Sequence, residues 1–387
     1  MSEKIEKDIL EWRRYLHQNP ELSYNEVNTS SFIKKELEKI GGFEIYSPTT
    51  TSLVAILKGG KRTESCKTLL FRADIDALPI HEETNLSFTS QNKGVMHACG
   101  HDAHAAMLLG ACKKIQKIQS ELSGEIRFVF QHAEEAFPGG AYELINQGVA
   151  EGVDYAFALH VSPDYESGNF SIQNGPFCAA ADDFHIKIIG KGGHASSPDK
   201  SIDPIHIASQ FNVAIQGIVS RIASPYEVPV ISVTKIHAGN ALNVIPGEIS
   251  LGGTVRSHNN ESRKLAHKSL ERILKGVTES YGATYDIKWD IGYPAVQNDS
   301  TAVEITKGAV EKIFNTEQII YNPNPTFGTE DFSSFSEAVP SSMQFIGVGQ
   351  NNKADNYPLH HPKFNLNESA LKYGSKYFYQ VAKDVLS

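Results

Sequence analysis

The sequence predicts an α/β fold of two domains: an α/β domain on a central, mostly parallel sheet, and a smaller inserted α+β domain of ferredoxin-like order. Three observations lead there. At 387 residues the chain is too long for one ordinary core and long enough for two. Short apolar runs alternate with helical stretches in its first half and again near its end, the rhythm of a sheet covered by helices. From about Cys178 to Tyr293 that rhythm becomes strand, helix, strand, strand, helix, strand, a compact unit of its own.

The first forty residues read as helix. Ile9, Leu10, Trp12 and Leu16, then Phe32, Ile33, Leu37 and Ile40, recur at near-helical spacing, and Asn19-Pro20 breaks the run. Strands are expected at Ser52 to Leu57, Thr68 to Phe71, Glu125 to Phe130, Tyr155 to Leu159 and Met343 to Val348, with a helix from Ala105 to Ile118. In the inserted segment Phe184 to Ile188 alternates as a half-exposed strand does, Ser201 to Ile222 reads as helix, and Val230 to Val233 as strand. Ile249 to Val255 is a further strand and Ser262 to Tyr281 a long amphipathic helix. The expected division is 1–177 with 294–387 for the first domain and 178–293 for the insertion.

Composition narrows the function. Hydrophobic residues at 40% and charged ones at 21% are ordinary for a globular protein. A net charge of −9 with no lysine- or arginine-rich block argues against nucleic acid or an anionic membrane as partner. The N-terminus is charged and lacks an apolar core, so no signal peptide is expected. No apolar run approaches the roughly 20 residues of a membrane-spanning helix. Cys66, Cys99, Cys112 and Cys178 are too few and too scattered for a disulfide framework. A reduced, cytoplasmic protein is expected, with Cys99 free to act as a thiolate.

The chemistry concentrates in His97-Ala98-Cys99-Gly100-His101-Asp102-Ala103-His104. A thiolate and an imidazole two apart can meet one divalent ion, with Gly100 letting the backbone fold tightly between them. Three further sites match it. Thr68 to Phe71 runs into Arg72-Ala73-Asp74-Ile75-Asp76; Ile126 to Phe130 runs into Gln131-His132-Ala133-Glu134-Glu135; Tyr155 to Leu159 runs into His160. The run ending at Val348 opens a loop that reaches His360-His361. Ligands of α/β sheets bind beyond the carboxyl ends of the strands, so acids and histidines delivered there by several strands point to one shared site. Glu134 and Glu135 repel each other unless a cation intervenes; one then coordinates and its neighbour takes a proton from water made acidic, with a pKa near ~7, by the ion.

These motifs, together with Ala77-Leu78-Pro79, Gly139-Gly140-Ala141, Gly192-Gly193-His194-Ala195, Asn243-Val244-Ile245-Pro246 and Leu359-His360-His361-Pro362, make the chain resemble the M20 metallopeptidase family. It is most similar to the amidohydrolase subgroup of auxin-conjugate hydrolases, hippurate hydrolases and bacterial N-acyl-amino-acid deacylases. The resemblance implies two divalent ions, zinc or manganese with cobalt and nickel also suited, held by Cys99, His101, Glu135, His160 and His360. Cys99 stands where the wider family has a bridging aspartate. Glu134 would be the general base and acid. Both His360 and His361 are candidates for the last ligand, and the family's Leu-His-x-Pro spacing selects His360. Asp76 and Asp102 resemble carboxylates that orient ligands; each could equally cap a local turn.

In the insertion the resemblance gives His194 a place across a dimer interface, against the scissile carbonyl, and Asn243 and Arg256 contacts to substrate. Read alone, His194 is a turn histidine and Arg256 a surface strand residue. The insertion would be lid and dimer surface. The chain departs from the family's Gln-Pro-Ala-Glu-Glu run in having His132 for proline. The expected activity is hydrolysis of the amide bond of N-acyl amino acids. The rivals are an aminopeptidase, dipeptidase or carboxypeptidase on short peptides, a non-catalytic metal-binding module, and an interaction protein with incidental histidines; the spare carboxylate of Glu134 argues against the binding module.

Overall fold

The computed structural model describes residues 2–61 and 66–387. Along the chain come α1 (Ser2–Gln18), α2 (Val27–Ile40), β1 (Glu44–Tyr46), β2 (Leu53–Lys58), β3 (Thr68–Asp74), α3 (His101–Ile115), β4 (Glu125–Gln131), α4 (Gly140–Asn146), β5 (Tyr155–Glu166), β6 (Phe170–Ile172) and β7 (Gly175–Cys178). Then follow β8 (Ala180–Ile189), β9 (Gly193–His194), α5 (Pro204–Ala214), β10 (Val230–His237), β11 (Val244–Ile245), β12 (Glu248–Ser257), α6 (Asn260–Ser280) and β13 (Thr284–Ile291). The chain ends with β14 (Val296–Asn298), α7 (Ser300–Val310), β15 (Ile319–Tyr321), α8 (Ser333–Ala338), β16 (Ser341–Gly349) and α9 (Leu371–Leu386). Two compact units result: residues 1–177, 296–324 and 331–387, and residues 178–295 with 325–330.

The first unit is built on an eight-stranded sheet in the order β1-β2-β4-β3-β5-β16-β6-β15. Its middle is parallel, β4 with β3, β3 with β5 and β5 with β16. Buried on both faces, these strands read as near-continuous apolar runs such as Leu69-Leu70-Phe71. One core joins them to the helices, with Ile9 and Leu16 of α1, Ile33 of α2, Leu108 of α3 and Phe378 of α9. Nearly every residue of α3 is buried, and the helix packs against α1 and α9. Register matters most here. Arg72 pairs with Val129 on one side and Ala158 on the other, so Asp74, Gln131 and His160 lie at one level.

The second unit carries an antiparallel sheet in the order β10-β12-β8-β13, with helices after its first and third strands. This is the expected ferredoxin-like order. β8 alternates between buried and exposed positions, as its sequence does. A separate core of Phe184, Ile186, Ile207, Phe211, Leu270 and Leu274 binds sheet to α5 and α6. The expectation that the chain resumes the first unit for good near Pro294 is incomplete. Residues 325–330 return to the second unit, where Gly328 O accepts from Ala179 N at 3.0 Å and Thr326 O from His258 Nε2 at 2.9 Å.

Asp182 on β8 staples this unit. Its buried carboxylate accepts from Arg263 and His267 of α6, each at 2.7 Å, and from Gly292 N at 3.1 Å, and His267 stacks on Trp289 at 3.9 Å. Burial opposes ionisation, but Arg263 and His267 prevail and hold the carboxyl at about 2. Asp182→Asn should lower the stability of this unit by about 3 kcal/mol at pH 7, since it leaves Arg263 unpaired. An unfolded aspartate titrates near 4, so this contribution is complete above about pH 4 and fades as pH falls towards 2. Urea titrations followed by Trp289 fluorescence in a Trp12→Phe background should show the gap between parent and variant closing over that window.

Candidate metal centre

The site gathers at the carboxyl ends of β3 and β4 and at the start of α3. Gly100 precedes α3 in the left-handed region (φ 87°), and a Cβ there would lie 2.4 Å from Val161 Cγ2. Only glycine lets Cys99 and His101 close on each other at that turn. The run after β4 turns sharply at Ala133 (φ 48°), and α4 starts directly against it. A Cβ on Gly140 would sit 1.9 Å from His132 O, and Gly139 has a positive φ of 88°, which together account for the glycine pair at 139–140.

His160 was expected just past a strand; it lies within one. β5 runs on to Glu166 because β16 pairs with it through Ser162, Phe345 facing His160. On the other side β3 stops pairing at Ala158. His160 therefore emerges where the sheet opens on one side, the crevice that α/β folds use for ligands. His360 arrives by a loop, its backbone left-handed (φ 65°) and its N–H donating to Ala98 O at 2.8 Å.

Ligand atoms of Cys99, His101 and His160 lie within 4.8 Å of one another, as do those of Cys99, Glu135 and His360 and those of His101, Glu134 and Glu135. The groups overlap at Cys99, His101 and Glu135. Cys99 Sγ is 3.5 Å from His160 Nε2, and His360 Nε2 is 3.2 Å from Glu135 Oε1. His101 Nε2 stands 3.9 Å from Glu134 Oε2 and 4.0 Å from Glu135 Oε1. His101 Nε2 and Glu135 Oε1 are buried without a hydrogen-bond partner. Such atoms are costly to bury unanswered, and a divalent cation among these donors would answer them.

The electrostatics agree. Burial alone would lower the pKa of His101, yet Asp74, Asp76 and Glu135 push it up to about 10. Burial, then Glu135 and Glu134, push the Cys99 thiol well above its ordinary value. His160 is driven well below the usual imidazole range by burial and by His104, so it stays neutral. Thiol, imidazole and carboxylate donors suit zinc, manganese, cobalt or nickel.

The two carboxylates paired in the sequence reading separate. Asp76 accepts from His101 Nδ1 at 3.1 Å, from Glu135 N at 3.0 Å and from Ser23 Oγ at 2.7 Å, so it touches the cluster directly. Asp102 faces away: it caps Ala103 N at 2.9 Å and accepts from Arg13 Nε at 2.9 Å and His17 Nδ1 at 2.8 Å. His361 stacks on Tyr357 and accepts from Lys363 N at 3.0 Å, outside the cluster. His132 contacts Glu143 Oε2 at 3.1 Å and meets the Tyr24 ring edge-on. In the second unit Ala195 N donates to Asn243 O at 3.0 Å in the β9–β11 ribbon, which brings exposed His194 and Asn243 side by side. Arg256 is not with them. It pairs with Ala181 at the start of β8, whereas the ribbon follows the end of β8 at Ile189.

Sequence reasoning missed Glu26. Buried before α2, it accepts from Ala133 N at 2.8 Å, Tyr24 N at 2.9 Å and Thr51 Oγ1 at 2.8 Å, and so holds the turn that carries Glu134. A lone glutamate ahead of a helix carries no motif that could have revealed it.

Residues 70–384 match peptidase family M20/M25/M40. The chain belongs to the M20 family. It is a hydrolase of C–N bonds. Among its M20 relatives, an N-acyl-L-amino acid amidohydrolase of Geobacillus stearothermophilus is 46% identical over 296 residues, 76% of this chain and 79% of that protein. Thermostable carboxypeptidase 1 of Saccharolobus solfataricus is 42% identical over 96% of this chain and 94% of its own. The crystal structure of a Bacillus subtilis dinuclear metal-binding M20 peptidase superposes with a TM-score of 0.87 at 35% identity, covering 99% of each chain. Among the described residues no helix is long and apolar enough to cross a membrane.

Asp102 and Arg13 are both fully buried. Burial alone would raise the Asp102 pKa, but Arg13 and His17 hold it well below the ordinary carboxylate range. Asp102→Asn should cost about 3–5 kcal/mol because Arg13 loses its buried partner. Chemical denaturation of parent and variant at pH 7 checks this; a loss under 1 kcal/mol would contradict the structural part given to Asp102.

Proposed function

We propose that this M20 chain is a two-metal amidohydrolase that releases an amino acid from its N-acyl conjugate. The observation that carries the reading is a second acid beside the donors. Cys99, His101, Glu135, His160 and His360 converge as a donor set, while Glu134 lies beside them, 3.9 Å from His101. Cys99 and Glu135 would be shared between two groups of ligands. Zinc or manganese would supply Lewis acidity towards the amide carbonyl and towards water.

The chain's own residues do the proton work. Glu134 takes a proton from the attacking water as its oxygen bonds to the carbonyl carbon. It returns that proton to the nitrogen as the C–N bond breaks, so a carboxylate and an amine leave. Asp76 keeps His101 turned so that Nε2 faces the donors. Glu26 fixes the Ala133 peptide and with it the approach of Glu134. The buried Cys99 thiol suits a reducing cytoplasm.

A second reading has support in the likeness to a carboxypeptidase. The two activities share a leaving group, an amino acid with a free carboxylate, and differ only in the size of the acyl side. Glu134→Gln should keep its metal content and lose about 10²–10⁴-fold in turnover. Parent and variant assayed against N-acetyl and N-benzoyl amino acids and against short peptides test both points. Preference of the parent for peptides would favour the carboxypeptidase; near-normal turnover by Glu134→Gln would remove its role.

Unit 2 is assigned the lid and a homodimer surface, with His194, Asn243 and Arg256 serving the substrate. Support lies in the distance between these residues. Arg256 and the β9–β11 ribbon occupy opposite ends of the β8–β12 ladder, about 25 Å apart at roughly 3.3 Å per residue. If both residues serve one small amide, that separation supports their coming from different copies. His194→Ala and Arg256→Ala should each be nearly inactive alone. Unfolded together and refolded as a 1:1 mixture, they should recover about a quarter of parental activity, since half of the dimers then hold one intact site of two. A mixture no more active than its components would refute the shared site.

A further inference from the structure

Arg72, Asp74 and His104 form a buried chain that the roles above leave unused. Arg72 Nη1 donates to Asp74 Oδ2 at 2.6 Å. Asp74 Oδ1 lies 2.6 Å from His104 Nδ1, and Val161 N donates to His104 Nε2 at 3.0 Å. The directions of these bonds are fixed at both ends. A guanidinium and a backbone N–H can only donate. His104 Nε2 must therefore present its lone pair to Val161, and Nδ1 must carry the proton that goes to Asp74. The far side of Val161 completes the chain: Val161 O accepts from His160 Nδ1 at 2.7 Å. With its proton committed there, His160 has its lone pair on Nε2, the atom facing Cys99 Sγ. The His104 and His160 rings stand 4.6 Å apart and steeply inclined.

We propose that His104 is a positioning residue: by holding the Val161 amide from below it keeps His160 Nε2 aimed at the cation site. The proposal rests on the metal reading above and gives a part to a histidine that the motif contains and that no ligand role fits. His104, with Asp74 and His101, is close enough to others to suggest a further cation site. Its bonds say otherwise, because neither ring nitrogen has a lone pair to spare and the Asp74 oxygens already serve Arg72 and His104. Nor is stability a sufficient reason for the chain. Arg72, Asp74 and His104 are all buried, and a buried ion pair with its imidazole gains little over apolar side chains of the same volume. What the polar version adds is direction.

The anchor reaches further. Arg72 Nε donates to Gln131 Oε1 at 2.7 Å and Nη2 to Asp331 Oδ1 at 2.8 Å, while Gln131 Nε2 donates to both Asp331 oxygens. Gln131 opens the run that carries Glu134 and Glu135. One guanidinium thus sets the end of β4 and, through Asp74 and His104, the course of β5 past His160.

The test uses cobalt(II) added to metal-free protein, followed by visible absorption and by calorimetry, for the parent, His104→Leu and His104→Gln. The parent should bind with thiolate-to-cobalt absorption from Cys99. His104→Leu, which leaves the Val161 amide without an acceptor, should bind about 10–100-fold more weakly with an altered spectrum. His104→Gln, whose amide can accept from Val161 and donate to Asp74, should stay within about threefold of the parent. If His104→Leu does not fold, His104→Asn replaces it, its shorter amide reaching only one partner, and the same weakening is expected. A folded Leu or Asn variant that binds cobalt as the parent does overturns the role of His104. A parent that takes up no cobalt overturns instead the metal reading beneath it. Nitrogen-15 spectra of the histidine rings in the metal-free parent give an independent arm: His104 should be protonated on Nδ1 and bare on Nε2, and a proton on Nε2 would end the proposal.

Discussion

The structure turns on one electrostatic constraint. Asp74, Asp76 and Glu135 crowd a single buried imidazole, and their pull on His101 is strong enough to carry it to about 10 against the cost of burial. Carboxylates held this close repel one another; Arg72 and His104 pair with Asp74, and something more must hold the others there. The parallel sheet does so. β3 and β4 are adjacent and in register, so Asp74 stands opposite Gln131, and the runs that follow carry Asp76 and the two glutamates to the same edge. The work done to assemble like charges is drawn from an apolar core that is continuous across the sheet and five of its helices.

Direction matters as much as proximity. A histidine offers a lone pair at one nitrogen only while the other holds its proton, and the partner of that proton decides which face is which. His101 gives its Nδ1 to Asp76, and His160 gives its Nδ1 to Val161 O. Both Nε2 atoms are left facing inward. The supporting groups are themselves constrained: Asp76 also accepts from the backbone of Glu135, and Glu26 from that of Ala133. A shift in any one of these moves both a proposed ligand and the proposed base, and the turn that carries them has room only for glycine at 140, where a Cβ would meet His132 O.

Much of this was legible in the sequence, for identifiable reasons. The octet from His97 to His104 and the run His132 to Glu135 are contiguous, so their chemistry can be seen without knowing the fold. The strand periodicity of Phe184 to Ile188 reflects a sheet with one face on a core, and the continuous runs of β3 and β4 a sheet covered on both sides. What could not be read depends on contacts between distant residues. The end of β5 is set by its pairing with β16, some 180 residues on, so His160 looked like the residue after a strand. Asp76 and Asp102 sit in equally suggestive motifs, yet one faces His101 and the other Arg13, because α1 packs on α3. His360 and His361 differ by one left-handed backbone turn, which no side-chain pattern announces. Glu26 and Asp331 act through backbone and side-chain bonds spanning more than a hundred residues.

The two units have separate cores, and that separation has a chemical consequence. Residues that bind cations tolerate little change, since each donor's aim depends on hydrogen bonds that run back through the sheet. A unit stapled by its own Asp182, with its own helices and edges, can vary in surface without disturbing them. On the reading proposed here, substrate choice belongs to that freer unit. The same rigidity limits it. A ten-residue antiparallel ladder keeps Arg256 and the ribbon of His194 at opposite ends, so on the proposed reading the substrate residues would come from two copies.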